Sequence, residues 1–238
     1  MAWLRRAPAT TAPREWIALL DAVPALADGL PPSRLAAAAD ALRIETAWIP
    51  AGPVGSADLR NGSERRHVVL LEGLVARSMT LEDGTATELL GPGDVLCPPA
   101  LGPQHDFGLA GYDVRLEALR TSRVGIVSRE LIAAFAAFPE LIDGLLAGRA
   151  RRDAEHAALA VIAQLTGVDR RLLALFRLLA ARHGRPTPDG TAVPVAVPLR
   201  LLAELVGARR PTVSTALRRL ERAGTLRRLR DGSWLLRA

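Results

Sequence analysis

Five arginines fall within eighteen residues, GARRPTVSTALRRLERAG (207–224), at positions 209, 210, 218, 219 and 222. A guanidinium is a planar, permanently charged fork of N–H donors. It pairs two-pronged with a phosphate or with the O6 and N7 edge of guanine. Arginine also serves simply to keep a helix face wet, so placement has to decide. Read as a helix beginning near Pro211, a residue favoured in a first turn, the segment sets Val213, Ala216, Leu217 and Leu220 at i, i+3, i+4 and i+7. At about 100° per residue these form one apolar side. The other side carries Pro211, Ser214, Thr215, Arg218 and Arg222, with Arg210 and Arg219 flanking it.

The neighbouring elements must hold that helix in place. PLRLLAELVG (198–207) spaces Leu199, Leu202, Leu205 and Val206 helically and closes on Gly207. After Gly224, TLRRLRDGSWLL reads as two short strands around an Asp-Gly turn suited to a tight hairpin. Helix, short turn, helix and hairpin predict a winged helix-turn-helix, whose second helix enters the major groove of double-stranded DNA. On that reading Arg210, Ser214, Thr215 and Arg218 meet base edges. Arg209, Arg219, Arg222, Arg228 and Arg230 grip phosphates. The alternative, a merely solvated arginine face, leaves the short turn, the small polar residues and the wing unexplained.

The charge is divided along the chain. Residues 167–238 hold fifteen arginines against five acids, a net +10, while the whole 238-residue chain is +6, leaving −4 for residues 1–166. A basic domain joined to a mildly acidic one is the pattern of a polyanion-binding module attached to something else. Every one of the 31 basic residues is arginine, which carries no functional message by itself. The length and the 49% hydrophobic content suffice for two domains. No apolar run approaches a membrane span, and the single cysteine forms no internal disulfide, so the chain is expected in the cytoplasm.

Residues 1–14, rich in Ala, Pro and Thr, read as a flexible arm. REWIALLDAV (14–23) and PPSRLAAAADAL (31–42) are patterned as helices. From about Arg43 the segments HVVLLEG, LVARSMTL, TATELLG and RLEALR are separated by turn residues, as in an antiparallel sandwich or barrel. From about Ser128 the pattern is helical again. Residues 139–165 form one long helix with Leu141, Leu145, Leu159, Ile162 and Leu165 near one side. RRLLALFRLLAARHG adds a helix, and RPTPDGTAVP (185–194) reads as a loop.

LAELVGARRPTVSTALRRLERAGTL closely resembles the DNA-binding motif of the Crp/Fnr family, which contains the cyclic-AMP receptor protein and the fumarate and nitrate reductase regulator. HVVLLEGLVARSMTLEDGTATELLGPGDVL resembles that family's β-roll with its Leu-x-Gly and Pro-Gly-Asp turns. The resemblance implies an α+β fold: a cyclic-nucleotide-binding-like antiparallel β-roll (15–138), a long dimerisation helix (139–166) and a winged helix-turn-helix (167–238). It implies a homodimer joined through Leu141, Leu145, Leu159 and Ile162, a pseudo-palindromic operator, and RNA polymerase as a further partner. It also makes Arg210 the guanine-reading arginine and Thr212 the phosphate contact, with signal passed through the pairing of the long helices. Pro211 and Thr215 replace residues common in the family, so the operator is expected to differ from its best-known consensus.

The sensor departs further from the family. Where cyclic-nucleotide binders carry Gly-Glu after Pro-Gly-Asp, this chain has Cys97 and Pro98; Tyr112 stands at the phosphate-binding arginine and Arg115 near the following serine or threonine position. Proline accepts no ribose hydroxyl through a side chain and tyrosine neutralises no phosphate. Cyclic AMP in its usual pose is therefore not expected, and Cys97, Tyr112 and Arg115 mark a pocket for an unknown effector. No cofactor and no metal are predicted. Cys97 as a redox sensor or, with His67 or His105, a haem ligand is weighed against an inert buried thiol. A cupin-like metalloenzyme would need clustered histidines that the roll lacks, so the chain reads as a non-enzyme. A basic architectural protein that coats DNA without sequence preference is the remaining alternative.

Overall fold

The computed structural model describes residues 15–55, 60–61, 64–65, 67–96, 113–194 and 196–237. Among the described residues, contacts gather into two compact units, one within residues 15–75, 89–96 and 115–149, the other within residues 76–88, 113–114 and 150–237. The chain is α+β, with antiparallel sheets first, then a long helix, then the helix-turn-helix.

The elements up to the long helix are β1 (Glu15–Ala18), α1 (Leu19–Ala22), a 3-10 turn (Pro24–Ala27), α2 (Pro32–Ala41), β2 (Arg43–Ile49), β3 (Gly52–Val54), β4 (Arg60–Asn61), β5 (Glu64–Arg65), β6 (Val68–Glu72), β7 (Val75–Leu81), β8 (Gly84–Leu90), β9 (Val95–Leu96), β10 (Asp113–Ala118), β11 (Ser122–Ile126) and α3 (Arg129–Phe135). One sheet runs β1-β2-β11-β6-β9, a second runs β3-β10-β7-β8, and β4 pairs with β5. Successive strand residues point to opposite faces, so the apolar run of β6 is divided between two cores. Val68 and Leu70 join Ile49, Val75, Leu90, Leu96, Leu116 and Val124 between the sheets. Val69 and Leu71 face Leu19, Leu20, Ala38, Leu42, Leu131, Phe138 and Leu141. Ser128 caps α3 by accepting from the Leu131 N–H at 3.2 Å.

The first half of REWIALLDAV is a strand, not a helix. Glu15–Ala18 pair antiparallel with Arg43–Thr46, and only Leu19–Ala22 are helical. So short an apolar run satisfies either periodicity, and the neighbouring strand decides.

The second half comprises α4 (Leu141–Gln164), α5 (Val168–His183), β12 (Arg185–Thr187), β13 (Gly190–Val193), α6 (Leu199–Leu205), α7 (Arg210–Arg222), β14 (Leu226–Arg228) and β15 (Trp234–Leu236). The 24 residues of α4 span about 36 Å. No helix among the described residues is long and apolar enough to cross a membrane. The expected loop at 185–194 is a hairpin: β12 pairs with β13, which pairs with β15, in the order β12-β13-β15-β14. Pro186 is compatible because β12 is an edge strand. The β14–β15 turn is also wider than a two-residue Asp-Gly turn. The Leu229 N–H donates to the Ser233 carbonyl at 2.8 Å, and Gly232 takes the left-handed position (φ +82°) of a three-residue loop. That places Arg230 in the loop.

Candidate nucleic-acid interface

Buried Leu172, Leu175, Phe176 and Leu179 line one side of α5 at i, i+3, i+4 and i+7. The Phe176 ring lies 5.2 Å, centroid to centroid, from that of Trp234 in the wing sheet. On α7 the buried residues are Val213, Ala216, Leu217 and Leu220, the side read from the sequence. The turn from α6 to α7 needs a glycine, since Gly207 has φ +58°. Its carbonyl and that of Val206 each accept from Arg171 Nη1 at 3.1 Å, and Arg171 Nε donates to the Leu165 carbonyl at 2.7 Å. One guanidinium of α5 thus ties the end of α4 to the helix-turn-helix turn.

The outward side of α7 is open. Arg209, Arg210, Pro211, Thr212, Thr215 and Arg218 are exposed, and Ser214 is half-buried. Pro211 lies in the first turn and Arg209 at the N-cap. The Thr215 hydroxyl donates to the Pro211 carbonyl at 3.0 Å, and its oxygen retains the capacity to accept. Arg222 Nε donates to the Arg218 carbonyl at 3.2 Å. Such an arrangement offers guanidinium forks and small polar groups to a groove, with an apolar back fixed in the domain core.

The other expected contacts are differently occupied. Arg219 makes an ion pair with Asp169, its Nη2 2.9 Å from Oδ2. Arg228 lies over the Trp234 ring at 5.9 Å, and Arg230 is exposed in the wing loop. Arg227, not singled out from the sequence, pairs with Asp189 at 3.1 Å. Asp169, Arg171 and Asp189 carry no periodic signal; apart from Leu165, their partners lie 35 to 50 residues away.

Of the expected effector pocket, Arg115 is exposed on β10, while Cys97 and Tyr112 lie outside the described residues, as do Pro98, His105 and the 1–14 arm. His67 is exposed before β6. Of the expected dimer positions on α4, Leu141 and Ile162 are buried within the chain, Leu141 completely, so they are withdrawn from a face open to a partner. Leu159 is half-buried. The exposed large apolar residues of α4 are Ile142, Leu145, Leu146 and Val161.

Residues 161–237 match the family model of the Crp-like helix-turn-helix domain. No curated protein matches the chain significantly. Among solved structures, a variant of CooA from Carboxydothermus hydrogenoformans matches at TM-score 0.60 and 16% identity, over 82% of this chain and 84% of that one. FixK2 from Bradyrhizobium japonicum matches at 0.57 and 19%, over 81% and 92%. A cyclic nucleotide-binding domain containing protein from Listeria monocytogenes EGD-e matches at 0.60 and 16%, over 80% and 87%. With an amphipathic α7 seated behind a glycine turn and flanked by a basic wing, the chain carries a Crp-like helix-turn-helix domain on the fold of the Crp/Fnr-type transcription regulators.

Proposed function

We propose that the chain is a sequence-specific transcription regulator that binds a pseudo-palindromic operator as a homodimer. The observation that carries this reading is the open outward side of α7 and its N-cap, where Arg209, Arg210, Thr212 and Arg218 are exposed while the opposite side is buried in the domain core. Arg210, Ser214, Thr215 and Arg218 read base edges; Arg209, Thr212, Arg222, Arg228 and Arg230 contact phosphates, and Arg219 joins them on release from Asp169. The dimer forms along α4 through Leu145 and Leu159, joined by exposed Ile142, Leu146 and Val161. Twofold symmetry then sets half-sites about 34 Å apart.

The protein works in the cytoplasm, with RNA polymerase as its downstream partner and no catalytic step of its own. Because Pro98 and Tyr112 replace the usual nucleotide-clamp residues, DNA binding is independent of cyclic AMP. The test is retention of genome fragments by the purified protein at near-physiological salt, with and without cyclic AMP. Enrichment of one pseudo-palindrome, unchanged by the nucleotide, is expected. Uniform retention of all fragments would favour the architectural, sequence-indifferent alternative.

A further inference from the structure

Two hydroxyls are buried on the β7–β8 hairpin: Ser78 is 2% exposed and Thr87 8%. Thr87 Oγ1 donates to Glu204 Oε2 at 2.7 Å. Ser78 Oγ lies 2.7 Å from Thr87 Oγ1 and 3.1 Å from the same carboxylate oxygen. With one proton on each hydroxyl, the two shorter legs make a chain from Ser78 to Thr87 to Glu204. The other Glu204 oxygen accepts from Arg200 Nη1 at 2.9 Å, one turn earlier on α6. The hairpin thus grips the first helix of the helix-turn-helix through a charged acceptor, and all four residues belong to one compact unit.

The next residue along β8 holds a different helix. Glu88, pointing to the opposite face of the strand from Thr87, pairs with Arg77 and with His156 of α4, and Arg152 Nη2 stands 4.0 Å away. Arg152 also pairs with Glu155 at 2.9 Å, and Glu155 with Arg182 of α5. Adjacent residues of one strand therefore bond α6 and α4. A mere surface contact would not require two buried hydroxyls aligned on one carboxylate, since a buried polar group is costly unless satisfied.

We propose that Glu204 is a positioning residue: through Thr87 and Ser78 it latches the first helix of the helix-turn-helix to the β7–β8 hairpin, and this latch sets the presentation of α7 to DNA. The latch does not cover α7, whose reading face stays exposed with the latch closed. It acts by holding, not by occlusion, and its loss lowers specific binding. This rests on the DNA-reading role assigned above to the C-terminal domain.

The test uses the full chain with Thr87→Val, which keeps the shape and removes the hydroxyl, Glu204→Gln, the double variant, and Thr87→Ser as the variant that keeps the donor. Affinity is measured for the enriched fragments and for random-sequence DNA, alongside backbone hydrogen exchange over residues 199–222. Thr87→Val and Glu204→Gln should each raise exchange in α6 and α7 and weaken the enriched fragments about tenfold. Random-sequence affinity and its salt dependence should stay unchanged, the double variant should be no worse than either single, and Thr87→Ser should behave as wild type. Unchanged exchange, additive losses, tighter binding, or equal weakening on random DNA would each overturn the latch. If the wild type enriches no sequence, the DNA-reading proposal fails, while exchange and non-additivity still decide whether the latch exists.

Discussion

Arg210 and Arg219 stand nine residues apart on one helix and differ in what they hold. Arg210 is exposed in the first turn of α7, whereas Arg219, in the last turn, is paired with Asp169. Arg210→Ala should cost about 1–3 kcal/mol on the cognate operator and relax preference at one base pair, because the proposed two-pronged guanine contact would be lost. Fragment selection with the variant checks this, and equal weakening on every sequence would contradict base reading. Asp169→Asn should release Arg219 to phosphate, tightening random-sequence binding at low salt and steepening its salt dependence by roughly one contact. A salt titration of both proteins measures it; an unchanged slope would leave Arg219 without a phosphate role. The sequence displayed Arg219 as one more basic flank. Its acidic partner on α5 lies 50 residues away and leaves no trace in local spacing.

At the scale of elements, α7 depends on α5 behind it and on the wing sheet beside it. Phe176 is completely buried and packs on Trp234, so Phe176→Ala removes a large side chain from a site that cannot collapse freely. A loss of about 3–5 kcal/mol is expected. Thermal unfolding is the measurement, and a change below about 1 kcal/mol would show that α5 and the wing are not packed as one core. The buried side of α7 was legible because four apolar residues at helical spacing admit one phase. The strand at Glu15–Ala18 and the hairpin at 185–193 were not legible, being four residues or fewer per strand and dependent on partners elsewhere in the chain.

For the whole molecule, assembly and acid response follow from surfaces and charges that no single element owns. Exposed Ile142, Leu145 and Leu146 recur at i, i+3 and i+4 on α4, a stripe suited to a second copy of the chain. Leu145→Arg combined with Leu146→Arg should yield a monomer by sedimentation and abolish half-site cooperativity; a dimer that survives would place the interface elsewhere. Acid should loosen the second compact unit. Burial favours protonation of Glu88 and Glu204, but Arg77 and His156 outweigh it at Glu88, and Thr87, Arg200 and Ser78 outweigh it at Glu204. Both carboxyls therefore lie below the ordinary range. Since folding lowers these values, their contribution is complete above the unfolded value of about 4.3 and is lost as pH falls through the lowered ones. The stability gap between wild type and Glu204→Gln should accordingly be present at neutral pH and close in acid. A gap that persisted unchanged through acid would mean that the carboxylate charge is not what the latch uses. The sequence by itself determined the basic C-terminal third, the apolar phase of α7 and the strand-and-turn rhythm of the roll, because these are set by charge count and by contacts within a few residues. The tertiary structure alone decided that Glu15–Ala18 is a strand, that Leu141 belongs to a core, and that Glu204 meets hydroxyls 117 and 126 residues earlier in the chain. Hydrogen bonds and packing between residues so far apart depend on the folded path of the chain, which local periodicity does not encode.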